Sequence, residues 1–112
     1  MKRYKEINLE EGMPYVRDAL DLLKETVRNC KSGQVGCLLV IHGYGSTGKG
    51  GAIKKEARRW LNAQVRNGKI KQVIYGEDFT LTNFEALKLK GRYPDLQEVL
   101  EKYNHGITVA EI

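Results

Sequence analysis

The sequence predicts an α/β fold with a mixed four-stranded sheet, and three observations carry that prediction. An apolar run from Val35 to Ile41 has the character of a strand covered on both faces. Apolar residues at helical spacing precede and follow it, Val16 to Cys30 and Ile53 to Leu61. Shorter segments at both ends of the chain and at Lys71 to Tyr75 supply the remaining strands, so the order is strand, helix, strand, helix, strand, helical excursion, strand.

Tyr4 to Leu9 ends in the alternating Ile7-Asn8-Leu9 and is followed by Gly12 and Pro14, which suits a short strand and then a helix start. From Pro14 onward, Val16, Leu20, Leu23 and Val27 recur at steps of four, three and four, with Ala19 and Cys30 on the same side. Such steps trace one face of a helix, and Lys31-Ser32-Gly33 closes it. Ile53, Ala57, Trp60 and Leu61 mark the buried stripe of a second helix, which makes Trp60 a core residue and leaves Lys54, Lys55, Arg58 and Arg59 as the outer face. Lys71 to Tyr75 is the third strand. Thr82-Asn83-Phe84-Glu85 has the spacing of a capping box headed by Thr82, opening a helix through Leu87 and Leu89, and Pro94 to Tyr103 is a further helix. Ile107 to Ile112 alternates with period two and forms the last strand. Right-handed crossovers make the first three strands parallel and place ligands off their carboxyl ends.

A chain of 112 residues, 41% hydrophobic and 29% charged, has the size and composition of one domain spanning 1–112, with 82–103 as the helical excursion. The polar start, Met1 to Glu6, lacks the apolar stretch of a secretory signal, and no run approaches membrane-spanning length, so the expected location is the cytoplasm, away from membranes. Cys30 and Cys37, with no second pair and no histidine at ligand spacing, read as buried free thiols; no metal site is indicated. The net charge of +5 is concentrated: Ser46 to Gln72 holds eight cations against Glu56 alone, a local +7. A stripe of that kind suits a polyanionic partner.

Between the second strand and the second helix runs His42-Gly43-Tyr44-Gly45-Ser46-Thr47-Gly48-Lys49-Gly50-Gly51. Glycine at 43, 45, 48, 50 and 51 lets backbone N–H groups approach a ligand, and the helix start adds its positive dipole end, so an anion is the expected guest. Gly43 to Lys49 also matches the glycine and lysine spacing of a Walker A phosphate loop, but Gly50 stands where a magnesium-holding Ser or Thr belongs. Val73 to Asp78 is a poor substitute for a strand ending in a metal-binding aspartate. A small phosphate-ligand or nucleotide-binding protein using this loop is therefore the alternative function.

Leu38-Leu39-Val40-Ile41-His42-Gly43-Tyr44-Gly45, the glycines after it, and Ile53 through Trp60-Leu61 resemble the second motif of the Smr, or small MutS-related, domain: His-Gly-x-Gly between a buried strand and a helix. The terminal Gly106 to Ile112 also resembles that family, whereas the excursion from Thr82 to Tyr103 is less typical of it. The resemblance implies a two-layer α/β sandwich and binding of DNA or RNA. It further implies, as in several members, nicking of phosphodiester bonds by a hydrolase. The family's first motif commonly reads Leu-Asp-Leu-His-Gly, and the corresponding Ile7-Asn8-Leu9-Glu10-Glu11-Gly12 lacks both the aspartate and the histidine.

His42, at the carboxyl end of a central strand and facing a glycine-lined anion site, is the first candidate for proton transfer or for a hydrogen bond to phosphate. Glu10 and Glu11 are weaker candidates, needing a raised pKa or a divalent metal to replace the missing groups. Gly43, Tyr44, Gly45, Ser46, Thr47, Gly48, Lys49 and Gly50, with Lys54, Lys55, Arg58 and Arg59, form the expected phosphate-binding set. Tyr44 at the loop tip is positioned to stack on a base. The sequence assigns no oligomeric state and does not choose between DNA and RNA.

Overall fold

The computed structural model describes residues 4–12, 15–44 and 48–112. In chain order the elements are β1 (Tyr4–Asn8), α1 (Val16–Ser32), β2 (Cys37–Ile41), α2 (Gly48–Arg66), β3 (Gln72–Tyr75), α3 (Phe84–Arg92), α4 (Leu96–Tyr103) and β4 (Ile107–Glu111), with 3-10 turns at Gly76–Asp78 and Asn104–Gly106. They build one mixed four-stranded sheet in the order β1-β2-β4-β3. β1 runs parallel to β2, Tyr4 opposite Cys37, while β4 is antiparallel to both its neighbours, Leu39 opposite Val109 and Ile74 opposite Val109. The first three strands therefore share a direction, and the last slots between the second and third.

All five residues of β2 are buried, because the pleat sends its side chains alternately into two cores. Leu38 and Val40 pack with Leu23, Val27, Ala57 and Leu61 of α1 and α2. Cys37, Leu39 and Ile41 pack with Ala86, Leu89, Leu96 and Leu100 of α3 and α4. Sheet plus α1 and α2 is the expected sandwich; the excursion at 82–103 covers the opposite face and adds a layer to it. Without that cover the odd-numbered side chains of β2, together with Ile107 and Val109, would meet water, so the excursion belongs to the core.

Several local signals land one or two residues away from where the sequence puts them. Pro14, the expected helix start, lies outside the described residues. The cap of α3 is Asn83, whose Oδ1 accepts from Ala86 N at 3.1 Å, while Thr82 turns to Thr80 at 3.2 Å. Asn is the stronger N-cap of the two, and its side chain accepts from the third helical N–H. α1 ends with its left-handed residue at Gln34 (φ 59) and not at Gly33, and the bonds Gln34 N to Lys31 O and Val35 N to Cys30 O make a Schellman closure. α2 ends in the same motif with Gly68 (φ 74) at the equivalent place. Lys31 Nζ donates to Lys69 O and joins the two helix ends. Among the described residues, no helix is long and apolar enough to cross a membrane.

Candidate nucleic-acid interface

The carboxyl ends of β1, β2 and β3 and the amino end of β4 meet along one edge of the sheet, and backbone bonds hold them there. Leu9 N donates to Ile41 O at 2.7 Å, and Gly106 O accepts from both His42 N and Gly43 N at 3.0 Å. Gly43 has φ +80, a conformation that favours glycine, and the carboxylate of Glu10 lies where a Cβ at this position would project. Glu10 itself is exposed, its N–H turned back to Asn8 Oδ1 at 2.9 Å. Glu11 is exposed in the turn that follows.

His42 is fully buried. Its Nδ1 lies 2.8 Å from Gly43 O, and because a carbonyl only accepts, Nδ1 carries the proton. Nε2, 2.8 Å from Thr108 Oγ1, is then the acceptor of that hydroxyl. Thr108 Oγ1 in turn accepts from Arg58 Nε at 2.8 Å. Burial lowers the His42 pKa to about 4 against the opposing bond to Gly43, with the nearby charges of Arg58 and Lys54 adding to the drop. The ring is thus neutral and saturated at neutral pH. The expectation that His42 faces the anion site is corrected: it closes a buried network beneath the loop.

Arg58 is corrected too. Expected on the solvent face of α2, it is 8% exposed, donates to both carboxylate oxygens of Glu77 at 2.7 and 2.8 Å and to Ile107 O at 3.1 Å, and lies 3.9 Å over the Tyr75 ring. Three residues before Leu61, it flanks the buried stripe and does not oppose it, a phase visible in the sequence once the partner is known. The hydrogen bonds from Arg58 hold the Glu77 pKa down at about 2. Glu77 and Thr108 are the members of this network that sequence reasoning missed. A single hydroxyl inside the apolar Ile107-Thr108-Val109-Ala110 was the available signal.

The rest of the expected set divides by position. Tyr44 is 59% exposed, and its backbone carbonyl accepts from the half-buried Lys54 at 3.4 Å, which ties that cation to the exposed aromatic residue at the edge. Lys55 and Arg59 are on the outer face of α2, Arg59 3.8 Å from Glu56 in an exposed pair. Gly48, Lys49 and Gly50 belong to the first turn of α2, so the loop is shorter than the glycine run. Gly45, Ser46 and Thr47 lie outside the described residues, as does the side chain of Lys49. Trp60, expected in the core, is half-buried against it.

Cys30 and Cys37 are free and buried on opposite faces of the sheet, and burial beside Glu111 pushes the Cys37 thiol up to about 12. Among the described residues no three His, Cys, Asp or Glu side chains group to hold a metal ion.

Compared with known protein families, residues 11–77, more than half of the chain, match the Smr domain. No curated protein and no solved structure matches.

Proposed function

The chain belongs to the Smr domain family, and from that membership and the one-sided charge of α2 we propose that it binds DNA or RNA phosphates at the carboxyl edge of the sheet. The observation that carries this reading is the conjunction of exposed Tyr44 with Lys54 at the loop, beside Lys55 and Arg59 on the same helix. The cations supply the attraction to a polyanion and the loop backbone a close approach to phosphate. Arg58 is spent internally on Glu77 and leaves the phosphate-binding set. With about four cations meeting phosphates, affinity falls roughly a hundredfold between 50 and 200 mM salt. A cytoplasmic location accords with two free buried cysteines.

Phosphodiester cleavage, where the family performs it, needs a group that reaches the substrate. His42 does not, since both ring nitrogens are engaged below the surface. Glu10, exposed and packed over Gly43, is the acid–base candidate at the edge.

The test is fluorescence anisotropy of labelled single-stranded and duplex DNA and RNA, run beside a supercoiled-plasmid gel with magnesium, manganese or chelator. Binding that weakens with salt and is lost in the Lys54→Ala, Lys55→Ala double variant supports the reading; unchanged affinity in that variant contradicts it. Nicking lost in Glu10→Gln assigns cleavage to Glu10, and nicking that survives Glu10→Gln removes it from that role.

A further inference from the structure

A groove of about 300 Å³ runs between α1 and α2, lined by Lys24, Arg59, Arg66, Trp60, Glu56 and Leu20. Its charge is three cations against one carboxylate, and that carboxylate is already 3.8 Å from Arg59. Lys24, Arg59 and Arg66 are exposed, whereas Trp60 is half-buried, packed against the core and lining the groove at once. Trp60 is thus the aromatic residue of a groove rimmed by cations. Arg59 and Arg66 stand seven residues apart, two turns along one face of α2, and Lys55 precedes them by one turn on the same face. The line of charge therefore continues from the loop edge past the mouth of the groove over about 16 Å.

We propose that this groove is a nucleotide subsite for a single-stranded nucleic acid, one base stacking on the exposed part of Trp60 while flanking phosphates pair with Lys24, Arg59 and Arg66. It rests on the nucleic-acid reading above and extends it to the strand state of the ligand. A duplex keeps its bases stacked inside and offers the indole nothing; a single strand turns a base outward, and aromatic stacking accepts any base. The volume is at the small end of ligand pockets and suits one base, not a base pair.

Trp60 is the chain's single tryptophan, so its emission reports on this groove alone. The experiment titrates the full chain with a fluorescein-labelled ten-nucleotide oligo(dT), following anisotropy, and with its unlabelled counterpart, following Trp60 emission. Quenching of Trp60 with the midpoint seen in anisotropy is expected. A Lys24→Glu, Arg66→Glu variant, altered only at exposed positions, should bind roughly tenfold more weakly and lose the quench. Binding by anisotropy with unchanged Trp60 emission and wild-type affinity in that variant would overturn the groove and leave the nucleic-acid reading intact. Equal quenching by poly-glutamate would overturn it in favour of an acidic polypeptide, and no binding of any oligonucleotide would remove both.

Discussion

Arg58 and Glu77 form a two-pronged ion pair, Nη1 to Oε2 at 2.8 Å and Nη2 to Oε1 at 2.7 Å, that fastens α2 to the turn after β3. The Arg58 side chain is 10% exposed and that of Glu77 26%, so removing the carboxylate strands a charge in a poor solvent. Glu77→Ala is expected to cost about 3 kcal/mol, the low end for a broken buried pair because Glu77 keeps some water contact. Urea denaturation followed by circular dichroism measures it; a change under about 0.5 kcal/mol, the size of an exposed pair, would show that solvent rescues Arg58.

Acid should weaken the fold in two stages. Between pH 6.5 and about 4 the unfolded chain takes up a proton on His42 that the folded chain refuses, so stability falls as pH drops through that window. The full loss is about 3 kcal/mol, since the folded chain keeps the buried ring neutral. Between pH 4.5 and about 2 the Glu77 carboxylate is protonated in the unfolded chain first, and the stability it contributes is lost in turn. Stability measured against pH for the wild type and His42→Gln separates the stages: the variant should lack the slope above pH 4.5, and an identical slope there would contradict a buried neutral ring.

Gln34 and Gly68 hold the same left-handed place in the Schellman closures of α1 and α2. A side chain in that conformation costs about 1 kcal/mol that glycine avoids. Gln34→Gly is expected to raise stability by about 0.5 to 1 kcal/mol, and Gly68→Ala, which meets no neighbouring atom, to lower it by a similar amount through backbone strain alone. Opposite signs in thermal melts check the assignment.

The salt dependence of nucleic-acid binding should distinguish adjacent arginines. Arg59→Ala removes an exposed cation and lowers the slope of log affinity against log salt by about one. Arg58→Lys keeps a cation but loses the fork to Glu77, so it should reduce stability and leave the slope as it was. Equal slope changes in both would place Arg58 at the phosphates.

Fold class, element order and the burial of β2 were legible in the sequence because each is written in local periodicity: apolar continuity in 37–41, helical spacing in Val16 to Cys30 and Ile53 to Leu61. The family was legible too, since His42-Gly43-Tyr44-Gly45 is a contiguous string. Tertiary structure decided what depends on residues far apart in the chain. His42 and Thr108 are 66 residues apart, and Arg58 and Thr108 are 50 apart. Only the insertion of β4 between β2 and β3 brings that hydroxyl between ring and guanidinium. It buries an arginine that looked solvent-facing and closes off a histidine that looked reactive. Local sequence reports which face of an element is apolar, and it does not report which distant polar group waits at the boundary of that face. That boundary is where Arg58, His42 and Trp60 all lie.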